Sequence, residues 1–242
     1  VKSSLRCIHF RCEWQIIGPQ SPGQRFERQR FQSFFENLNS NVEFGDYDDF
    51  SYRLDHCELG KVRGMSHQGG QAFSKVIYKD DALKLVEEFT AYSIDEFARQ
   101  IKVVLDAWFE CFSETVLVVQ NCWIRGLVTP LHSDDSRAFL SETVLGLREG
   151  FATRLNEAPL SVGFNFVSQR QYESVPMTLE AKVSSWRDGR SIWIEVHGGV
   201  PMSEPLNAAR HDRAEAVFGR CRTFLESEVI PLLSDYDRKE HD

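Results

Sequence analysis

Polar and apolar residues alternate through Ile8, Phe10, Cys12, Trp14 and Ile16, a period of two that predicts a β-strand with one buried face. The spacing then changes. Phe31, Phe34, Phe35 and Leu38 recur at helical intervals, and alternation returns over Phe50–Leu59, which reads as one further strand. Two β-rich runs follow around Asp80-Asp81, a weaker turn signal than Asp-Gly. The next segment is the clearest helix: Ser93-x-x-Glu96 is a capping box, and Ile94, Phe97, Ile101, Val104, Leu105, Trp108 and Phe112 lie on one stripe.

The same order recurs in the second half. Thr115–Thr129 reads as a long strand, Leu140, Val144, Leu147 and Phe151 mark a helix, and Leu160–Val167 is a strand again. Residues 177–199 then form a hairpin on Asp188-Gly189, read as a two-residue turn with both central residues at positive φ. Counting outward from it sets Ala181 opposite Val196 and Val183 opposite Ile194 on an apolar face. The other face pairs Glu180 with His197, Lys182 with Glu195 and Ser184 with Trp193. A last helix carries Ala214, Val217, Phe218, Cys221, Leu225 and Leu232; it is expected to start near Ser203–Asn207 and to end or kink at Pro231.

The fold class is therefore α+β, with two pseudo-repeated β-α-β-β-β-α halves, antiparallel sheets packed against long helices, and an offset of about 110 residues. The halves are residues 1–113 and 114–242. No Gly/Ser/Pro-rich linker divides them, which implies one compact body.

Composition narrows the function classes. With 28 basic against 36 acidic residues and a formal charge of −8, the chain lacks the excess of Lys and Arg that phosphate binding draws on, which disfavours nucleic acid as a partner. No apolar run approaches the roughly 20 residues that span a bilayer, and the first residues lack the apolar core of a signal peptide, so no membrane is implied and the location expected is cytoplasmic. The six cysteines are dispersed without a CxxC pair; they read as core residues, and no metal or other cofactor is implied.

Residues 69–130, "GGQAFSKVIYKDDALKLVEEFTAYSIDEFARQIKVVLDAWFECFSETVLVVQNCWIRGLVTP", with "MTLEAKVSSWRDGRSIWIEVH" later in the chain, resemble a sporadically distributed bacterial family of uncharacterised proteins of similar length. In that family an aromatic-led helix precedes a strand rich in Arg and aromatic residues, and a late strand pair precedes the last helix. Trp123-Ile124-Arg125-Gly126-Leu127 stands where the family has Arg-Tyr-Ile-Asn-Arg. The resemblance implies the architecture and brings no catalytic residues with it.

Several local groupings invite chemistry. His132, Asp134 and Asp135 could suggest a metal site, but Ser133 or Asp134 is also a good N-cap, and acids are favoured in a first helical turn. Cys7 and Cys12 point to opposite faces of one strand, as do His56 and Cys57, so neither set converges. Residues 63–71 form a Gly-bearing connector without a phosphate-binding ending. Two readings remain. The first is a non-catalytic binding protein that presents an antiparallel sheet face to a protein or peptide through Trp123, Arg125 and Trp193, with a homodimer allowed. The alternative is a small-molecule or metal-dependent enzyme that uses His132, Asp134 and Asp135.

Overall fold

The computed structural model describes residues 5–18, 27–53, 56–65, 71–89, 92–147 and 159–239. Strand β1 (Arg6–Ile17) is followed by helix α1 (Arg28–Asn39), strands β2 (Asp49–Arg53), β3 (His56–Met65), β4 (Gln71–Lys79) and β5 (Ala82–Glu88), and helix α2 (Ile94–Cys111). Strand β6 (Val116–Val128) leads to the short helix α3 (Ser136–Ala138), which widens into a π-helical turn at Phe139–Val144. Strands β7 (Gly163–Tyr172), β8 (Val175–Ser185) and β9 (Ile192–Leu206) precede helix α4 (Arg213–Phe224), a π-helical stretch at Leu225–Val229 and helix α5 (Ile230–Lys239).

All nine strands among the described residues join one antiparallel sheet in the order β2-β3-β4-β5-β1-β6-β9-β8-β7. The pattern of the two halves suggested separate sheets. Pairing of β1 with β6, from Arg6 opposite Leu127 to Ile17 opposite Val116, makes them continuous. Alternation decides the faces. Phe10, Cys12 and Trp14 of β1 and Gln120, Cys122 and Ile124 of β6 are fully buried toward the helices, and their neighbours in sequence point the other way.

Aromatic contacts bind that layer to the sheet. Phe10 of β1 lies 5.0 Å from Phe97 of α2, which lies 5.1 Å from Phe218 of α4, so strand and both helices meet at one point. Trp108 stacks on Phe112 at 4.2 Å and on Tyr78 at 5.6 Å, with Phe34 of α1 edge-on at 5.6 Å. The capping box at the start of α2 is complete: the Ser93 N–H donates to Glu96 Oε2 at 2.6 Å and the Glu96 N–H to Ser93 Oγ at 3.2 Å. No described helix is long and apolar enough to cross a membrane.

Four local expectations are corrected. Asp80 and Asp81 both have positive φ, 53° and 57°, and form the tight two-residue turn, whereas at Asp188-Gly189 only Gly189 does, at 73°. That hairpin closes through a four-residue loop: the Trp186 N–H donates to Ser191 O at 2.7 Å, and Asp188 Oδ1 accepts from the Arg190 and Ser191 N–H groups. Two extra loop residues, one taken from each strand, leave every pairing in place, so Glu180–His197, Lys182–Glu195 and Ser184–Trp193 stand as counted. Phe50–Leu59 is two strands, β2 and β3, paired from Asp49–Gly60 to Arg53–His56.

The third and fourth corrections concern the chain after the hairpin. The last helix starts at Arg213, because β9 runs on to Leu206 beside β6 after its pairing with β8 stops at Gly199. With β8 gone, Pro201 can sit in the strand without breaking a second ladder. Pro231 does not end the helix. The preceding turn widens instead, the Ile230 N–H reaching back to Leu225 O, and α5 continues beyond it. Of the helix read near Leu140, Leu140 and Val144 lie in the π-helical turn, Leu147 lies past it, and Phe151 is outside the described residues.

The burial of α2 sets its energetics. Trp108 is fully buried and donates from Nε1 to Thr115 Oγ1 at 3.0 Å. Trp108→Ala is expected to cost about 3–5 kcal/mol and Ser93→Ala only about 1 kcal/mol in urea denaturation, a cavity against a cap. Equal small losses would contradict the packing described.

Candidate functional site

The helices occupy one face of the sheet, and no described helix packs on the other. Across that open face the register builds rows from strands far apart in sequence. Arg11 of β1 is opposite Trp123 of β6, which is opposite His197 of β9. One row along, His9 is opposite Arg125, Arg125 opposite Glu195, and Glu195 opposite Lys182 of β8. Leu127 and Trp193 form the next pair.

These rows are in contact. The Arg11 guanidinium lies 4.7 Å above the Trp123 ring, and the His197 imidazole stacks on it at 4.6 Å and 13°. Arg125 donates from Nε to Glu195 Oε2, while Lys182 Nζ reaches Glu195 Oε1 at 3.6 Å. Trp193 stacks on Trp186 at 6.4 Å and has the Arg125 guanidinium 6.0 Å from its centroid. Thus Trp123, Arg125 and Trp193, singled out from the sequence, do lie on one surface.

Charge on this face is paired within it. His197 Nδ1 is 3.9 Å from Glu180 Oε2, Lys84 Nζ 3.8 Å from Glu13 Oε2, and Lys75 Nζ 2.6 Å from Glu58 Oε1. His9 is only 8% exposed; burial first, then the Arg125 and Arg11 charges, hold its imidazole down at about 3, so it is neutral near pH 7. Burial also lowers His197, against the opposing pull of Glu180 and Glu195. The face is a lattice of alternating signs with aromatic rings set into it.

His132, Asp134 and Asp135 do not converge. All three are exposed, and Asp135, not Ser133 or Asp134, is the N-cap of α3: its Oδ1 accepts from the Arg137 N–H at 2.8 Å and from the Ala138 N–H at 3.3 Å. The His132 backbone N–H donates to Asp237 Oδ1 of α5 at 3.2 Å. Among the described residues no three His, Cys, Asp or Glu side chains are grouped to hold a metal ion. Cys57 is buried, its thiol pushed up to about 12 by burial and then by Glu58, while His56 points to the open face and pairs with Glu58 at 3.3 Å. Of the connector at 63–71, residues 66–70 lie outside the described residues, and Arg63 and Gln71 belong to β3 and β4.

One polar cluster escaped the reading of the sequence. Glu87 of β5 is 1% exposed among apolar neighbours; its Oε2 accepts from Ser74 Oγ at 2.7 Å and its Oε1 from Gln100 Nε2 at 2.8 Å. Arg63 donates from Nε to Ser74 Oγ at 2.6 Å and from Nη1 to Asp46 at 2.8 Å, and Gln100 also reaches the Tyr47 hydroxyl at 3.2 Å. Burial pushes the Glu87 carboxyl up to about 7, outweighing those hydrogen bonds and the Arg63 charge. The signal was the series Leu83, Leu85, Glu87, an acid at the third position of an inward-facing alternation.

No family model, curated protein or solved structure matches the chain. The geometry alone carries the argument.

Two outcomes follow. A carboxyl raised from 4.5 to about 7 in the folded state contributes stability that is fully present below pH 4.5 and lost as pH rises through about 7. Glu87→Gln should therefore gain on the wild type by roughly 3 kcal/mol between about pH 4 and pH 8, a slope that urea denaturation at several pH values reads directly; parallel curves would show an ordinary carboxyl. At the open face, Glu195→Lys sets a cation against both Arg125 and Lys182 and should cost about 1–3 kcal/mol. Adding Lys182→Glu should recover less than half, since Arg125 still faces the introduced ammonium; full recovery in a double-mutant cycle would remove Arg125 from the lattice.

Proposed function

We propose that the protein is a non-catalytic binding module whose open antiparallel face docks a protein or peptide partner. The observation that carries this reading is a wide strand surface with no described helix on it, crossed at its centre by Arg125, Trp123 and Trp193. Aromatic and Arg side chains on a rigid, partly desolvated surface are the groups that anchor protein interfaces. Nucleic acid suits the face poorly. Its cations are matched by carboxylates, and both sides of the Trp123 ring are covered, by Arg11 and by His197, which leaves no free ring face for a base.

The face also supports a duplicated origin for the two halves. In each half the last strand returns beside the first, β5 next to β1 and β9 next to β6, and a helix, α2 or α4, follows it. The two first strands meet at the centre, so the docking surface we propose lies where residues 1–113 and 114–242 join. An enzyme built on His132, Asp134 and Asp135 has no such support.

A displayed library of random peptides, panned on the whole chain, tests the reading. Peptides that bind the wild type should lose at least about tenfold in affinity on Arg125→Glu and on Trp193→Ala, with circular dichroism unchanged. Binding indifferent to both substitutions would overturn the proposal, as would duplex DNA or RNA competing for the same residues.

A further inference from the structure

We propose that two copies of the chain pair through strand β7, in antiparallel register about a two-fold axis at Val167, so that the open face runs continuously across both copies. β7 is ten residues long and ends the sheet: β8 lies on one side, and among the described residues no strand lies on the other. A strand so placed carries a row of outward N–H and C=O groups that can template another strand, and edges are usually protected by brevity, Lys, Pro or a bulge. The opposite edge has such protection. β2 is five residues long, with Asp49 and Arg53 at its ends.

β7 has none of these guards. "GFNFVSQRQY" contains no Pro, Lys, Asp or Glu, and its pairing with β8 runs without a bulge from Gly163–Ser184 to Tyr172–Val175. Its one charge, Arg170, is held by Glu228 at 2.5 Å and lies 5.6 Å from the Phe224 ring centroid, turned toward its own helix layer. Val167, near the middle of the strand, is 61% exposed on the open face.

Symmetry and charge select a second copy as the occupant. A two-fold axis perpendicular to the sheet keeps open face with open face, so in an antiparallel pair some residue must sit opposite itself. Centring on Val167 gives nearly full overlap: Asn165 meets Gln169, Phe166 meets Ser168, and Phe164 meets Arg170. The strand's only ion then faces an aromatic ring, no like charges meet, and amide groups face amide groups. A charged foreign strand would find on β7 only Arg170, which Glu228 already holds. This inference is independent of peptide docking on the face, so either can fail alone.

Sedimentation equilibrium of the whole chain, from low to high micromolar, should give twice the 27.9 kDa chain mass. Val167→Lys and Val167→Glu each place like charges on the axis and should weaken the dimer at least about tenfold, while an equimolar mixture of the two should restore it. Val42→Lys, at an exposed position on another segment, should leave it unchanged. Circular dichroism on each variant confirms that the fold is kept. A wild type that stays monomeric throughout, a dimer that survives both substitutions, or a mixture that does not recover would overturn the proposal.

Discussion

The pairing of β1 with β6 is the constraint on which the rest of the molecule depends. Those strands start about 110 residues apart, and a contact of that span brings a loop-closure cost that local turns do not. What offsets it is burial on one side and stacking on the other. Toward the helices, Phe10, Cys12 and Trp14 lie against Ile124, Cys122 and Gln120, with the Cys12 and Cys122 sulfurs 3.3 Å apart and Gln120 tied to Ala214 O at 2.9 Å. Toward the open face, Arg11 covers the Trp123 ring. A one-residue slip would move each of these side chains to the wrong face.

From that pair the sheet grows outward in both directions through short hairpins, and this explains what could be read from the sequence. Alternation in 8–16 and 116–128, the stripe and capping box of α2, and the pairings of Glu180, Lys182 and Ser184 with His197, Glu195 and Trp193 are local properties. A residue's neighbours determine which face it takes, and a count across one turn determines its partner. The turn type was misassigned at Asp188-Gly189 without harm, because a symmetric loop preserves the count. At Phe50–Leu59 the same reasoning failed, since residues on both sides of a bend can alternate as though no bend were there.

The candidate site was legible only in part, for a related reason. Trp123, Arg125 and Trp193 were identifiable as large or charged residues on outward positions of their strands. Their partners were not. Arg11 and His9 reach Trp123 and Arg125 only through the β1–β6 contact, and alternation says which way a strand faces without saying which strand lies beside it. The His132–Asp135 grouping failed in the opposite sense: closeness in sequence placed those side chains on one exposed turn, where a cap uses Asp135 alone.

The two faces of the sheet also settle how charge is handled. On the open side most charges keep access to water, and opposite charges in neighbouring strands are ordinary, each exposed pair being worth little; Glu195, buried between Arg125 and Lys182, is the exception, and it ties together the rows that carry Trp123 and Trp193. On the helix side the same chemistry is scarce and costly. Glu87 is retained there with every carboxylate oxygen bonded, to Ser74 of β4 and Gln100 of α2, and Arg63 of β3 completes the link to Asp46. A buried acid requires its two donors in place, Ser74 Oγ and Gln100 Nε2. The carboxyl costs stability near neutral pH, and it ties β4, β5 and α2 together in the half of the sheet whose outer strand is only five residues long. In the other half, Leu179, Ala181 and Val183 are buried on the corresponding strand face, and the buried carboxylate of the helix layer, Asp237, accepts from the Leu131 and His132 N–H groups of the chain leaving β6, not from a strand.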